Sequence, residues 1–438
     1  MYKRQAIYGI DLGTTNSLLG VGDKLLTGLV PSVADIDAKT AGAVNLSNPN
    51  AVRSFKVDIS MGLEGLQSIV ASTEVLKQLK REAGLKGTIQ AVITVPADFD
   101  DSQRRATVEA AKHADIEVVS LVNEPTAAAM YITQGKKEVA VVFDLGGGTF
   151  DVSVIDSRFG NFDVQYSAGD PKCGGDNLDQ LILRYFCKQG KLSLFRLDKS
   201  AKMELQKLCT ETKIRMQKER KNFVVDLKAF GGIKVDFTED VYIQLMKSAF
   251  MKCITLLHRV INSSLEVGSK YDLVLVGGST RCPYLREWIT KEVGQKPIDI
   301  TYDPDKAVAY GAALYARMVE DGEIDYMVSD ITKALSIGLQ DGTVQNIIPA
   351  NSKVPIEEEI MLSNPESADC LSLALYQGDS GLIVNNSYIG KLIYDYGETK
   401  APYAGNVFVT VSVEASGIVK LSCKELGKKA VTKELVIS

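Results

Sequence analysis

Two stretches of the sequence place an aspartate directly before a turn rich in glycine and threonine. The first contains Asp11, Gly13, Thr14, Thr15 and Asn16; the second contains Asp144, Gly146, Gly147, Gly148 and Thr149. Backbone N–H groups of such turns and threonine hydroxyls can donate hydrogen bonds to phosphate oxygens. Carboxylates suit a Mg²⁺ ion that keeps several of its waters, so Asp11 and Asp144 are candidate metal-binding residues through water. Together the two stretches predict a site for a polyphosphate and its metal ion.

A third glycine turn supports the same interpretation. This turn contains Gly277, Gly278, Ser279 and Arg281 and follows the strand-like segment 272–276. A helix is expected to begin at Pro283, because proline suits the first turn of a helix. Hydrolysis of a triphosphate needs a positioned water and compensation of charge on the γ-phosphate. Lys56, Glu124 and Asp151 are the side chains that could position or polarise this water. The alternative is three purely structural turns. Neither a GxxxxGK(S/T) nor a GxGxxG motif occurs, which disfavours P-loop and Rossmann mechanisms.

The elements that must position these residues alternate between strand and helix. Segments 7–21 and 141–155 each have an apolar strand, the turn and a second apolar strand, which predicts two β-hairpins. A strand is expected near 91–95, and helices near 102–114 and 124–134. Alternating strands and helices indicate an α/β fold, and the repeated hairpin indicates two related lobes that face each other.

The pattern changes near residue 335. Short stretches with alternating apolar and polar residues follow, separated by Gly, Asn, Asp and Ser, which predicts a small β-sandwich. The predicted division is therefore an α/β nucleotide-binding domain over 1–325, a linker over 326–333 and a β-sandwich over 334–438.

Composition restricts the classes of partner and the compartment. The 438 residues carry a net charge of −5, which argues against a nucleic-acid-binding protein. No apolar run is long enough to span a bilayer, and the first residues lack the apolar stretch of a signal peptide. Seven scattered cysteines without a CxxC pair favour reduced thiols over disulfides or structural zinc. We therefore expect a cytoplasmic protein without a nucleic-acid or membrane partner.

The motifs as a set resemble the heat shock protein 70 (DnaK-type) chaperones. The matching segments cover almost the whole of residues 5–320 and are Ile10-Asp-Leu-Gly-Thr-Thr-Asn-Ser17, Ile93-Thr-Val-Pro-Ala97, Asn123-Glu-Pro-Thr-Ala-Ala-Ala129, Asp144-Leu-Gly-Gly-Gly-Thr-Phe-Asp151, Val276-Gly-Gly-Ser-Thr-Arg281 and Asp303-Pro-Asp-Lys-Ala-Val-Ala-Tyr-Gly-Ala-Ala313. The resemblance implies a two-lobed, actin-like (ribonuclease H-like) ATPase domain followed by a peptide-binding β-sandwich. Further similarity to the HscA branch implies a role in iron–sulfur cluster assembly.

The resemblance also implies a role for each matching residue. ATP or ADP would bind with Mg²⁺, and K⁺ is a further candidate ion. The implied phosphate contacts are Gly13, Thr14, Thr15, Asn16, Gly146, Gly147, Gly148 and Thr149; the implied adenosine-side contacts are Lys213, Gly277, Gly278, Ser279, Arg281 and Asp305. The implied catalytic residues are Lys56, Glu124, Asp144, Thr149 and Asp151. Pro96, Arg104 and Asp330 would form the interdomain switch. Leu339, Met361, Leu371 and Leu373 fall where the family places its peptide pocket, although a core role suits these four residues equally well.

Several positions depart from the family pattern. The interval between Lys56 and Val92 is markedly short, so one small subdomain beside the cleft is expected to be trimmed or absent, and nucleotide to escape faster. Asp98 stands where an aromatic residue is usual, and Ser120 where a basic residue helps to dock a J-domain cochaperone. The sequence stops at Ser438, directly after the β segment. We therefore expect a form without the helical lid of its relatives, either cut from a longer protein or naturally reduced.

Three functions remain open from the sequence. The first is an ATP-dependent chaperone that binds unfolded or extended polypeptide, with a J-domain cochaperone and an iron–sulfur scaffold protein as candidate partners. The second is a nucleotide-binding interaction module with weak or uncoupled ATPase activity. Asp98, Ser120 and a linker in which Tyr326-Met-Val-Ser329 replaces the leucine run of the family motivate it. The third is an actin-like filament or a sugar kinase, and the β-rich segment after residue 335 argues against both.

Overall fold

The computed structural model describes most of the chain. The described residues are 6–48, 50–61, 65–133, 139–157, 162–227, 230–266, 268–298, 302–322, 330–331, 333–350, 352–414, 418–425 and 431–432. The helices are α1 (Leu66–Glu82), α2 (Asp101–His113), α3 (Glu124–Thr133), α4 (Gly175–Gln189), α5 (Lys199–Glu219), α6 (Glu239–Ser264), α7 (Pro283–Val293) and α8 (Ala307–Asp321). Within the described residues, no helix is both long and apolar enough to cross a membrane.

Strands account for most of the remaining regular structure. In the first part of the chain they are β1 (Ile7–Asp11), β2 (Asn16–Val21), β3 (Lys24–Leu25), β4 (Val30–Pro31), β5 (Val33–Asp35), β6 (Thr40–Ala41), β7 (Val52–Arg53), β8 (Ile89–Val95), β9 (Ile116–Asn123), β10 (Val139–Leu145), β11 (Phe150–Asp156), β12 (Asp163–Asp170), β13 (Phe223–Leu227), β14 (Ile233–Phe237) and β15 (Asp272–Val276). After residue 329 they are β16 (Asp330–Ile331), β17 (Leu335–Gly338), β18 (Val344–Ile348), β19 (Ser352–Lys353), β20 (Ile356–Ser363), β21 (Ala368–Gln377), β22 (Ser387–Lys400), β23 (Asn406–Val413), β24 (Val419–Glu425) and β25 (Val431–Thr432).

The first lobe is built on a sheet of order β3-β2-β1-β8-β9. β1 and β2 form the predicted antiparallel hairpin, and β8 and β9 continue the sheet in parallel. Helices α1 and α2 cover one face, where Val75, Leu76 and Ala110 pack against Ile93 and Leu121. The capping box of Asp100 and Gln103 starts α2, because each side chain accepts a hydrogen bond from the other residue's backbone N–H.

The second lobe repeats this arrangement with a sheet of order β12-β11-β10-β15. β10 and β11 form the other predicted antiparallel hairpin, and β15 lies parallel to β10, as β8 does to β1. Helices α4 to α7 and the hairpin β13-β14 bury one face of the sheet in a large apolar core that includes Phe143, Phe186 and Phe250. The two lobes therefore share one pattern of strands around each aspartate.

Helices α3 and α8 join the lobes. Their buried alanines pack with Val92 and Val122 of the first sheet and with Val142 and Val274 of the second, in a single apolar cluster. Close approach of the two helices depends on Gly311, because a Cβ atom at this position would overlap the backbone carbonyl of Ala127. The α/β, actin-like fold class predicted from the sequence is confirmed.

Two further sheets follow residue 330. One has the order β18-β17-β21-β22 and the other β20-β23-β24-β25. Alternate residues of β23, from Val407 to Val413, are buried between the sheets, which is the burial pattern of a sandwich strand. The domain boundaries at 325 and 334 stay predictions. Of the predicted linker, residues 326–329 and 332 lie outside the described residues.

Candidate functional site

The two predicted glycine turns face each other. A Cβ atom at Gly147 would overlap the hydroxyl of Thr15, and a Cβ at Gly148 would lie 2.9 Å from Cγ2 of Thr14. The Gly146 N–H closes the second turn by donating to the carbonyl of Thr149 at 3.0 Å. Because the glycines have no side chains, the backbone of the second turn can come this close to the first.

The two aspartates occupy equivalent places in the two sheets. Asp11 ends β1, while Asp144 lies one residue before the end of β10 and directly opposite Asp151 of β11. The hydroxyl of Thr94, in the neighbouring strand β8, donates to Oδ1 of Asp11 at 3.1 Å. Sheet geometry therefore brings the buried carboxylate of Asp11 and the half-buried carboxylate of Asp144 to the region of the facing turns.

Burial and mutual repulsion weaken the acidity of these carboxyl groups. Burial, followed by the negative charge of Glu124, raises the pKa of Asp11 to about 7. Burial is also the leading cause that raises the pKa values of Asp144 and Asp151 well above their ordinary range, and nearby carboxylates add to both shifts. A site that disfavours its own negative charge in this way favours a cation.

The predicted catalytic lysine and glutamate form a buried ion pair. Lys56 Nζ donates to Oε1 of Glu124, and only 3% of the lysine side chain is exposed. Lys56 lies in a short 3-10 helix over Phe55–Asp58, and Glu124 begins α3. Asp151 is also buried, and its Oδ1 has no hydrogen-bond partner among the described residues. The structure therefore brings together one cation and several carboxylates that could orient water.

The third predicted turn completes the cleft. Gly277 has φ +82°, and a Cβ atom there would overlap the carbonyl of Leu145 and lie 2.7 Å from Oδ1 of Asp144. Ser279, two residues later, donates its hydroxyl to the carbonyl of Gly146 at 2.7 Å. This turn is thus packed on the turn of the second hairpin.

A charged cluster lies beyond the third turn. Lys213 of α5 donates to Oδ2 of Asp179 at 2.9 Å and to the carbonyl of Gly175 at 3.2 Å. Arg281 forms ion pairs with Asp303 and Asp305, and a Cβ atom at Gly278 would lie 2.5 Å from Oδ1 of Asp305. The residues that the sequence assigned to the adenosine side are therefore gathered on the same side of the cleft.

The predicted switch residues connect the site to helix α2. Pro96 is buried directly after β8, and Arg104 of α2 donates to the carbonyl of Phe99 at 3.2 Å and to Oδ1 of Asn123 at 2.9 Å. Asn123 immediately precedes Glu124, so Arg104 links the turn after Pro96 to the buried ion pair. Asp330 pairs through its backbone with Lys353, and its side chain lies outside the described structure.

The four predicted peptide-contacting residues occupy two different environments. Leu371 and Leu373 of β21 belong to the core between the two sheets. Leu339, after β17, and Met361 of β20 are exposed, with 60% of Met361 accessible. The core role is thus observed for the two β21 leucines, and a peptide-binding role for the set stays a prediction.

Sequence reasoning missed several residues near these sites. Thr94 orients Asp11, and the Gly174-Gly175 turn packs on Gly147, where a Cβ at Gly174 would overlap the Gly147 carbonyl. The Gly-Gly pair was a visible turn signal. By contrast, no local pattern marked Asp101, which contacts the β-sandwich through Val419.

The observed residues fit a magnesium-bound nucleotide. Burial and nearby carboxylates raise the pKa of Asp144 well above its ordinary range, so a divalent cation would stabilise its charged form. Among the described residues Oδ1 of Asp151 has no partner, and it could accept a hydrogen bond from a metal-bound water. Gly147 and Gly148 carry no side chains that would occupy the space between the two turns, which suits the approach of a phosphate chain to their backbone.

Comparison with known proteins agrees with this geometry. The family model described as Hsp70 protein matches residues 44–438. A chaperone protein HscA homolog from Haemophilus influenzae (strain 86-028NP) is 31% identical over 98% of this chain and 77% of the relative. Homologs with the same name from Herminiimonas arsenicoxydans and Colwellia psychrerythraea are 30% and 29% identical over 97% of this chain and 77% of each relative. These relatives support similarity to the HscA-like branch. The chain belongs to the Hsp70 family, whose members are chaperones that hydrolyse ATP.

Proposed function

We propose that this chain hydrolyses ATP between the facing glycine turns and uses the nucleotide state to control how its β-sandwich binds extended polypeptide. The observation that carries the proposal is the convergence of Asp11 and Asp144 at equivalent strand ends beside turns in contact through Gly147 and Thr15. Two such turns can hold a triphosphate from opposite sides.

We propose a separate binding role for each group of residues in the cleft. Asp11 and Asp144 would hold Mg²⁺ through water, and this ion would neutralise charge on the phosphates. Backbone N–H groups of both turns and the hydroxyls of Thr14, Thr15 and Thr149 would hold the phosphate oxygens. Lys213, Arg281 and Asp305 would bind the adenosine side. K⁺ is a further ion that we propose for the phosphate region.

Water activation would depend on the buried pair. Glu124 can accept a hydrogen bond from the attacking water, and Lys56 can place positive charge near the γ-phosphate. Asp151, opposite Asp144 in the paired strands β10 and β11, would be a further carboxylate that orients the water or accepts its proton.

Contacts of α2 with the β-sandwich supply a route for coupling. Asp101 donates its backbone N–H to Oε1 of Gln377 at 3.0 Å, and its carboxylate accepts the N–H of Val419 at 2.9 Å. Lys333 donates to the carbonyl of Asp98 at 2.9 Å, in the turn between Pro96 and α2. Arg104 connects the same turn to the residue before Glu124. We therefore propose that Pro96, Arg104 and Asp330 report the nucleotide state to the sandwich.

The remaining proposals concern the peptide-binding residues, the partner proteins and the location in the cell. We propose that Leu339, Met361, Leu371 and Leu373 contribute to an apolar peptide pocket. The chain is similar to chaperones named HscA homolog. On the family resemblance we propose an iron–sulfur scaffold protein as client, a J-domain cochaperone as partner and a cytoplasmic setting.

The test is single-turnover hydrolysis of ATP with and without a saturating apolar peptide, together with peptide release rates measured with ADP and with ATP. Peptide-stimulated hydrolysis and a large difference between the release rates would support the proposal. Hydrolysis that is absent, or unchanged in Lys56→Ala, would overturn the catalytic assignment.

A nucleotide-binding interaction module with weak or uncoupled ATPase activity is the second candidate. Asp98, where the family usually has an aromatic residue, and Ser120, where it usually has a basic one, favour this candidate. This candidate predicts calorimetric ADP binding, equal peptide release rates with both nucleotides and no stimulation by peptide.

A further inference from the structure

Two buried cysteines from distant parts of the chain are in sulfur–sulfur contact. Cys173 lies three residues after β12 and directly before Gly174, while Cys253 lies in the middle of α6. Their Sγ atoms are 3.2 Å apart, and 5% of Cys173 and none of Cys253 is exposed. The sequence alone indicated scattered, unpaired thiols, so the tertiary structure creates this pair.

An ion pair beside the two cysteines also holds their segments together. Lys252, next to Cys253, forms an ion pair with Asp170, three residues before Cys173, so two contacts connect α6 to this turn. A disulfide requires sulfur atoms about 2.05 Å apart, so the pair must close by about 1 Å. Rotation of the two side chains can provide much of this movement without separating α6 from β12.

We propose that Cys173 and Cys253 form a reversible intramolecular disulfide when the protein meets a peroxide, and that the bond tethers α6 to the turn carrying Gly174 and Gly175. In the first step the Cys173 thiolate attacks an oxygen of hydrogen peroxide, which forms a sulfenic acid and releases hydroxide. In the second step the Cys253 sulfur attacks that sulfenic acid, forming the S–S bond and releasing water. The sulfurs lose two electrons in all, which reduce one peroxide to two waters.

The neighbours of the pair favour Cys173 as the attacking group. The thiol of Cys253 can donate its hydrogen to the Cys173 sulfur, which lowers the pKa of Cys173 and favours its thiolate. Cys173 is also the more accessible of the two, with 5% of the residue exposed against none of Cys253, and a peroxide is among the smallest oxidants that could reach it. Cys253 is then already in contact as the resolving thiol.

The tether would act on the second glycine turn. Directly after Cys173, a Cβ at Gly174 would overlap the Gly147 carbonyl. The Gly175 N–H donates to the Gly146 carbonyl at 3.0 Å, and the Asp176 N–H donates to the Gly147 carbonyl at 2.7 Å. Anchoring this segment to α6 would restrain the backbone that faces the phosphates, a consequence that rests on the proposed nucleotide site.

The bond itself is tested by treating the full-length reduced protein with hydrogen peroxide and mapping its peptides by mass spectrometry. We expect a peptide pair joined through Cys173 and Cys253, lighter by two hydrogen atoms than the reduced peptides and restored by dithiothreitol. The joined peptide should be absent from Cys173→Ala and Cys253→Ala and present in Cys370→Ala, which removes an exposed cysteine. Oxidation of Cys173 and Cys253 to separate sulfinic acids, or no reaction while Cys370 is oxidised, would overturn the proposal.

The consequence is tested by measuring the release of a fluorescent ADP analogue from reduced and oxidised protein. We expect severalfold slower release after oxidation, reversal by dithiothreitol, and no response to peroxide in Cys253→Ala. Equal release rates despite a mapped disulfide would overturn the tethering effect. If the reduced protein binds no ADP, the proposed nucleotide site fails, while peptide mapping still decides whether the disulfide forms.

Discussion

Val419 donates its backbone N–H to the carboxylate of Asp101 at 2.9 Å, although the two residues are 318 positions apart. Arg105 completes the contact, because it forms an ion pair with Asp101 at 2.6 Å and donates to the carbonyl of Val419. The carboxylate of Asp101, at the start of α2, thus accepts hydrogen bonds from a strand of the β-sandwich and from an arginine of the first lobe. This buried junction joins the first lobe directly to the β-sandwich.

Replacing Asp101 with alanine should uncouple the β-sandwich from hydrolysis. The change leaves the Val419 N–H and the Arg105 guanidinium without their shared acceptor, which typically costs about 1–3 kcal/mol. We expect peptide stimulation of ATP hydrolysis to be lost while the unstimulated rate is retained, as measured by single-turnover assays. Gln345→Ala, at an exposed position of β18, is the control and should behave as the unmodified chain. Full stimulation in Asp101→Ala would show that this contact does not transmit the signal.

Breaking the Lys56–Glu124 pair should affect stability and catalysis differently. Lys56→Ala leaves a buried carboxylate without its partner, which should lower the free energy of unfolding by about 3–5 kcal/mol. Hydrolysis should fall at least about 100-fold. The double variant Lys56→Met/Glu124→Leu should recover stability, measured by urea denaturation, without recovering activity. Recovery of both would assign the pair a purely structural role.

Nucleotide affinity should depend on residue 174 being a glycine. In Gly174→Ala the new Cβ would overlap the backbone carbonyl of Gly147, and backbone cannot rotate away as a side chain can. The second glycine turn must therefore shift, and we expect calorimetry to show ADP binding weakened by about tenfold or more. Gly28→Ala is the matched control, because no atom lies within 4 Å of its added Cβ. Unchanged affinity in Gly174→Ala would place the nucleotide elsewhere.

The carboxylate cluster should make the nucleotide-free, magnesium-free protein less stable as pH rises. The pKa of Asp11 is raised from 3.8 to about 7, so between these values the folded protein holds a proton that the unfolded chain releases. The contribution of Asp11 to the free energy of unfolding should therefore be greatest below about pH 4. It should fall by up to about 1.4 kcal/mol per pH unit as the pH rises towards 7.

Urea denaturation of the unmodified chain and of Asp11→Asn across this pH window checks the contribution. The variant carries no titrating group at position 11, so the difference in stability between the two proteins should shift in its favour as pH rises. A constant difference across the window would mean that Asp11 titrates normally in the folded protein.

Much of the site could be predicted because its signals are local. Apolar segments on either side of each glycine turn predicted the β1-β2 and β10-β11 hairpins, and both are present. The Glu124-Pro125 start predicted α3, which ends at Thr133, one residue before the expected end. A hairpin's register depends on its own few residues, so the sequence was sufficient to place Asp11 and Asp144 at comparable strand positions.

Other features depend on contacts that no local pattern encodes. Thr94 reaches Asp11 because β8 lies parallel to β1, and Cys173 reaches Cys253 because α6 packs on β12. The residues that contact Val419 are likewise separated from it by most of the chain. By itself the sequence determined the hairpins, the fold class and the chemical types available for the site. Only the tertiary structure decided which groups are paired, because burial and hydrogen bonding between distant segments depend on how whole sheets and helices pack.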